Sequence, residues 1–172
     1  MRLPEFALAV HARDGVAEAC VLLQDRFGVD VNVLLFAAQV GSTGTLTSAE
    51  LDRAELDRAS RQVADWHAEV IRPLRGVRRR LKSGPPPAPN ATTTALREQL
   101  KGLELQAETI ELDELSHLIP DHGISDDDPV ARITAALLTA VRRTSSRELS
   151  SDEDDAVAAI AKAAARVGRE NA

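Results

Sequence analysis

The chain has 172 residues, of which 2% are aromatic and none is a tyrosine, so it has the size of one domain without the aromatic runs typical of sheets. Alanine, leucine, valine, glutamate and arginine dominate, which favours helices, and a single cysteine excludes an internal disulfide. The net charge of −6 argues against nucleic acid as a partner. We therefore expect an all-α, single-domain bundle of about six or seven helices.

Three helices are predicted near the start of the chain. The first covers Glu5 to His11, and the second begins after Asp14 as N-cap and ends at Gly28. Asp30 is expected to cap the third helix, whose residues Val31 to Val40 are apolar on almost every side. A helix of this kind is usually central and buried.

Asp30, Asn32 and Gln39 are the polar exceptions in this third helix. Asn32 and Gln39 lie within about 20° of each other around the helix axis, so they form one polar edge. Buried amides must be hydrogen-bonded, which leaves two interpretations open: they fix the register of neighbouring helices, or they line a small polar pocket.

A longer helix follows, with Thr47 as its predicted N-cap and Glu50 completing a capping box. Its apolar positions keep helical spacing from Leu56 to Leu81, and Trp66 falls on this core line. Pro73 removes a backbone donor, so we expect a kink or a split there.

A basic stripe, formed by Arg72, Arg75, Arg79 and Lys82, runs along the end of this helix. Guanidinium groups suit bidentate contacts with oxyanions, so the stripe is a candidate surface for an anion or an acidic protein partner. The alternative is a solvated face that pairs with the acidic second half of the chain.

The segment "KSGPPPAPNATTT" predicts a proline-rich linker over residues 83–94, between an N-terminal helical core (1–82) and C-terminal helices with an acidic tail (95–172) that pack on the same core. Beyond it we expect a helix to about Leu118 and another that starts at Asp128 and Pro129. A final alanine-rich helix has a shallow apolar face and is expected to dock weakly through Val157, Ile160, Ala164 and Val167.

The helix before Leu118 also contains the spacing Glu114-x-x-His117, which occurs in di-iron bundles. One copy is weak support for a metal, although both residues extend an apolar seam through Leu103, Ala107 and Ile110. A competing seam through Leu105, Leu112, Leu115 and Ile119 leaves them in solvent. His11, His67 and His122 are isolated in sequence and no catalytic motif is present, so we expect no cofactor and favour a protein that is not an enzyme.

The segments "GVAEACVLLQD", "DVNVLLF" and "WHAEVIRPLRGVRRRLK" resemble an uncharacterised family of small, mainly proteobacterial proteins of unknown function. The similarity covers about residues 5–118. The resemblance implies a helical bacterial protein in the cytoplasm and names no catalytic residue.

Together these patterns predict a non-enzymatic adaptor or regulatory module that meets an acidic protein partner through the basic stripe, with a homodimer as one arrangement. The alternative is an enzyme or ligand-binding protein that uses a polar pocket around Asn32 and Gln39, or a metal at Glu114 and His117. The N-terminal segment lacks the pattern of a secretory signal, and no run approaches the roughly eighteen apolar residues of a membrane span, so we expect a cytoplasmic protein without membrane contact.

Overall fold

The computed structural model describes residues 1–44, 49–119 and 128–171, and within these ranges all regular secondary structure is helical. The elements are α1 (Leu3–His11), α2 (Val16–Phe27), α3 (Val31–Thr43), α4 (Ala49–Trp66), a π-helical turn (His67–Ile71), α5 (Arg72–Arg80), α6 (Ala91–Ser116), α7 (Pro129–Thr144) and α8 (Ser151–Glu170). Because α4, the π turn and α5 form one continuous rod, the described residues make seven rods. The predicted all-α bundle is confirmed.

The third helix, α3, lies at the centre of the bundle, as its composition predicts. It packs against α1, α4, α6, α7 and α8, and its residues from Asn32 to Gly41 are all buried. Gly41 allows α3 and α7 to approach each other closely, because a Cβ atom there would lie 2.8 Å from Ile133 Cα of α7. Asp30 caps α3, and its Oδ1 accepts a hydrogen bond of 2.9 Å from the Asn32 N–H.

The helix ends show where local chemistry predicts the structure and where it does not. Gly28 ends α2 in the left-handed conformation, at φ 68°, and Asp128 caps α7, both as predicted. Asp14 does not cap α2, because the chain turns at Gly15, which has φ 76° and is itself the N-cap residue. The predicted cap at Thr47 lies outside the described residues.

The rod around Pro73 neither splits nor ends. Proline offers no N–H to a carbonyl one turn earlier, and just before it the backbone widens into the π turn. There the Arg72 N–H donates to the His67 carbonyl, five residues back. Trp66 does not pack in the core as predicted, since it is 36% exposed and its Nε1 donates a 3.0 Å hydrogen bond to the Ala107 carbonyl at the bundle surface.

The predicted linker over residues 83–94 is partly helical, because α6 begins at Ala91. Asn90 is its N-cap, and its side chain accepts a hydrogen bond of 2.8 Å from the Thr93 N–H. Of the two predicted seams on α6, neither is buried throughout. Half or nearly half of Leu103 and Ile110 is exposed, as is most of Leu105. Buried contact is made by Ala107, Leu112 and Leu115.

The expectation that the last helix docks weakly is wrong. α8 packs against α1, α2, α3 and α7, and its four predicted contact residues are each at most 2% exposed: Val157, Ile160, Ala164 and Val167. The small alanine side chains of α8 let the helix lie close to its neighbours. Many van der Waals contacts form as a result, and each adds a small amount of stabilisation. In the described part of the chain, the structure contains no helix that is both long and apolar enough to cross a bilayer.

Candidate functional site

A cavity of about 540 Å³ lies between α1, α2, α3, α6 and the π turn with α5, and we call it the α1–α6 cavity. Large apolar side chains line its mouth and are exposed: Leu8 by 73%, Val21 by 51% and Leu105 by 63%. Deeper residues are buried, including Asn32 and Glu111. The cavity therefore combines an apolar entrance with polar groups inside.

Three ionisable side chains from separate elements meet inside this cavity, and we call them the Asp30 cluster: Asp30, His67 and Glu111. His67 Nδ1 lies 2.9 Å from Asp30 Oδ2 and 3.4 Å from Glu111 Oε1. Asp30 precedes α3, His67 opens the π turn and Glu111 belongs to the last turns of α6. The cluster thus depends on the packing of three helical rods.

Asn32 holds the two carboxylates in place. Its backbone N–H donates to Asp30 Oδ1, and its Nδ2 donates to Glu111 Oε2 at 2.5 Å and to the Glu108 carbonyl at 3.3 Å. One oxygen of each carboxylate is therefore fixed by Asn32. The other oxygen of each faces His67 Nδ1, which makes Asn32 the residue that orients the cluster.

The charge state of the cluster follows from burial and proximity. Burial alone would lower the pKa of His67, but the Asp30 and Glu111 carboxylates outweigh it and raise this pKa to about 9. Burial raises the pKa of Glu111, although His67 acts in the opposite direction. The arrangement is suited to holding positive charge between two carboxylates, either as a proton on His67 or as a bound cation.

The basic stripe is divided by the structure. Arg75 lies in the cavity wall, where its Nε donates to Glu104 at 2.8 Å, while its two terminal nitrogens donate to Glu108 at 2.6 Å and to Gln24 at 3.0 Å. Arg78, which was not predicted as a site residue, also binds Glu104. These contacts neutralise part of the stripe from within the chain.

The rest of the stripe faces solvent. Arg72 and Lys82 are exposed, and Arg79 is exposed with its guanidinium 3.9 Å from Asp25. Burial would raise the pKa of the Glu104 carboxyl, but Arg78 and Arg75 overcome this and lower it. Glu104 is therefore a carboxylate that forms ion pairs with Arg75 and Arg78.

The other predicted site residues lie apart from the cavity. Gln39 is buried elsewhere on α3 and its Nε2 donates to the Met1 carbonyl at 3.0 Å, so it does not line the cavity that Asn32 lines. Glu114 is exposed on α6 and His117 is exposed at its C-cap, outside the Asp30 cluster. Asp30 and Asn32 are the predicted polar residues that line the cavity.

Sequence reasoning missed His67 and the acidic face of α6. Glu104, Glu108 and Glu111 recur at i, i+4 and i+7, which places them on one side of a helix and opposite the arginines of α5. This spacing of carboxylates is the sequence signal that predicts an acidic face on α6. His67 carried no local signal beyond its position six residues before Pro73.

Fold and site together define an all-helical bundle with an ionisable cluster inside a cavity that is apolar at its mouth. The chain belongs to a protein family of unknown function, DUF2390, whose sequence pattern matches residues 2–115. That match includes every residue that lines the cavity and excludes α7 and α8. Neither the search of curated proteins nor that of solved structures found a match.

Proposed function

We propose that the protein is a small-molecule-binding protein and that the α1–α6 cavity is its binding site. The observation on which this rests is the combination of a cavity of about 540 Å³ with three exposed apolar side chains at its mouth. Pockets for small molecules commonly have volumes of about 300–1,000 Å³, with apolar walls and a few convergent polar groups.

The lining indicates the chemistry of the ligand. Leu8, Val21 and Leu105 offer contact to an apolar body, and removing such surfaces from water supplies binding free energy. The carboxylates of Asp30 and Glu111 favour a cation or hydrogen-bond donors at the inner end of the ligand. Arg75 is already paired with Glu104 and Glu108, so it does not require an anionic ligand.

The experiment uses the uncharged fluorescent probe N-phenyl-1-naphthylamine, whose emission rises in apolar surroundings. We expect saturable binding to the full chain and a weaker affinity, by about tenfold, in the Leu105→Gln variant, because the mouth loses an apolar side chain worth about 1.5–3 kcal/mol when it is buried. Leu105 is 63% exposed, so the substitution leaves the core intact.

Leu96→Gln is the matched control, since Leu96 lies on the same helix, is 46% exposed and does not line the cavity. The control should bind the probe as the unmodified chain does. Equal losses in both variants, or no saturable binding at all, would contradict the proposal.

A second candidate is the predicted adaptor, in which an acidic protein partner meets the exposed part of the basic stripe. It is supported by the exposure of Arg72, Arg79 and Lys82 and by the neighbouring Val77, which is 51% exposed and offers an apolar contact. Such a partner includes a second copy of this chain. For both candidate functions, we propose the bacterial cytoplasm as the location of the protein.

The adaptor is tested with Arg72→Glu plus Arg79→Glu, which spares the internal pairs of Arg75. We expect the variant to lose the partners captured from the native cell by the unmodified chain, and to change its sedimentation if the partner is a second copy. Capture of the same partners by both chains argues against this candidate.

A further inference from the structure

We propose that the Asp30 cluster binds one divalent transition-metal ion, with Asp30 Oδ2, His67 Nδ1 and Glu111 Oε1 as its protein ligands. This goes beyond the proposed small-molecule site, because the three ligands come from the protein alone and need no organic ligand. The metal would sit in the inner part of the α1–α6 cavity, away from the apolar mouth.

The distances between the three ligand atoms fit a single ion. Asp30 Oδ2 and Glu111 Oε1 lie 2.9 Å and 3.4 Å from His67 Nδ1, and the three residues each offer one ligand atom within 4.8 Å of the other two. An ion about 2.0–2.2 Å from imidazole nitrogen and carboxylate oxygen holds neighbouring ligand atoms about 3.0–3.5 Å apart. Small side-chain movements are therefore enough to admit the ion.

The second oxygen of each carboxylate is already hydrogen-bonded. Asn32 donates its backbone N–H to Asp30 Oδ1 and its amide to Glu111 Oε2. Residues behind metal ligands commonly fix the ligands in this way, so that the coordinating atoms are aimed before the ion arrives. Asn32 is thus a positioning residue that does not touch the metal.

An independent observation favours a cation at this position. The Glu111 side chain is completely buried, and its Oε1 has no hydrogen-bond partner within residues 1–44, 49–119 and 128–171. The same holds for His67 Nδ1, whose contacts with the two carboxylates lack hydrogen-bond alignment. Buried polar atoms are rarely left in this state, and an ion between them would satisfy all three side chains.

The chemistry of the three ligand atoms determines which metal ions they favour. One imidazole and two carboxylates suit Zn²⁺, Fe²⁺ or Mn²⁺, whereas Ca²⁺ and Mg²⁺ prefer oxygen ligands alone. Three protein ligands also leave coordination positions open toward the cavity. The π turn that begins at His67 fits this assignment, since such turns are frequent at functional sites.

A metal-free alternative explains the same proximity. A protonated His67 would pair with the two carboxylates and serve only to join α3, the π turn and α6. The two assignments differ in one measurable respect: the ion-pair cluster takes up no stoichiometric metal.

The test is a titration of the chelator-treated full chain with Zn²⁺ by calorimetry and with Co²⁺ by visible absorption. We expect one equivalent of each per chain. Asp30→Asn should lower the affinity at least about tenfold. Asparagine caps helices as well as aspartate does, so this variant keeps the start of α3.

Glu114→Gln is the matched control, since it removes a carboxylate from the same helix as Glu111 at an exposed position. It should bind metal like the unmodified chain. No stoichiometric uptake by the unmodified chain overturns the proposal whatever the variants do, as does an affinity that Asp30→Asn leaves unchanged.

The outcome is separate from that of the small-molecule proposal. Metal uptake without probe binding would support the metal site and contradict the apolar-ligand function. Probe binding without metal uptake would support the apolar-ligand function and contradict the metal site.

Discussion

The side-chain amide of Asn32 donates a hydrogen bond of 2.5 Å to Glu111 Oε2 and so joins the central helix to α6 inside the bundle. Asn32 is 7% exposed and Glu111 is 1% exposed, so the bond is shielded from water. The hydrogen bond connects Asn32, which the sequence predicts as a polar core residue, with Glu111, which the sequence does not predict as a site residue. The stability of the bundle should therefore depend on a polar contact as well as on apolar packing.

Asn32→Ala is expected to lower the free energy of unfolding by about 1–3 kcal/mol, because it removes the amide that donates to the buried Glu111 Oε2 and, more weakly, to the Glu108 carbonyl. Urea denaturation followed by circular dichroism measures the change. Thr109→Ala is the control, since this α6 residue is exposed and its hydroxyl donates to the Leu105 carbonyl within the same helix. An Asn32→Ala effect no larger than that of Thr109→Ala would show that the buried bond contributes nothing to stability.

The predictable parts of this protein are those determined by neighbouring residues. Asp30 caps α3 and Gly28 ends α2 because each acts on backbone groups within a few positions. The burial of α3 follows from its apolar residues on almost every side. His67 and Glu111 could not be paired in advance, because their meeting depends on how the α4–α5 rod lies on α6. Likewise, the position of Arg75 depends on the acidic face of α6, which lies beyond the linker.

Glu153 should make the protein sensitive to acid. Its side chain is 1% exposed and accepts hydrogen bonds from Arg147 at 2.6 and 2.7 Å, from Arg26 at 3.1 Å and from the Ser150 N–H at 2.8 Å. The Arg147 bonds hold the pKa of this carboxyl far below its usual range, despite burial. A carboxyl whose pKa is lower in the folded state stabilises that state above its unfolded pKa, near 4.3, and loses this effect as the pH falls further.

Glu153→Gln should accordingly lower the melting temperature at pH 7, with a difference that stays constant down to about pH 5 and shrinks below it. Thermal melts between neutral and acid pH measure this. Asp155→Asn, an exposed change on the same helix, is the control and should have little effect at any pH. A Glu153→Gln difference that grows on acidification would contradict the assigned ion pairs.

Cys20 should be inert toward thiol reagents in the folded protein. It is 1% exposed on α2, and burial raises the pKa of its thiol to about 12, so almost no thiolate forms at pH 8. We expect dithiobis(nitrobenzoate) to react slowly with the native chain and to modify one thiol per chain in concentrated guanidinium. Fast modification of the native protein would mean that the cavity beside Cys20 opens readily.

Gly41 and Gly102 form a matched pair that tests the packing of the central helix, since both are helical and only one is crowded. A Cβ atom at Gly41 would lie 2.8 Å from Ile133 Cα and 3.1 Å from Ile133 N, so α3 and α7 must separate to admit it. Gly41→Ala should lower the free energy of unfolding by about 1–3 kcal/mol. At Gly102, on α6, a Cβ atom meets nothing within 4 Å, and alanine should stabilise the protein by about 0.5–1 kcal/mol. Urea denaturation of both variants measures the two effects, and an equal gain in both would mean that α3 and α7 are not in close contact.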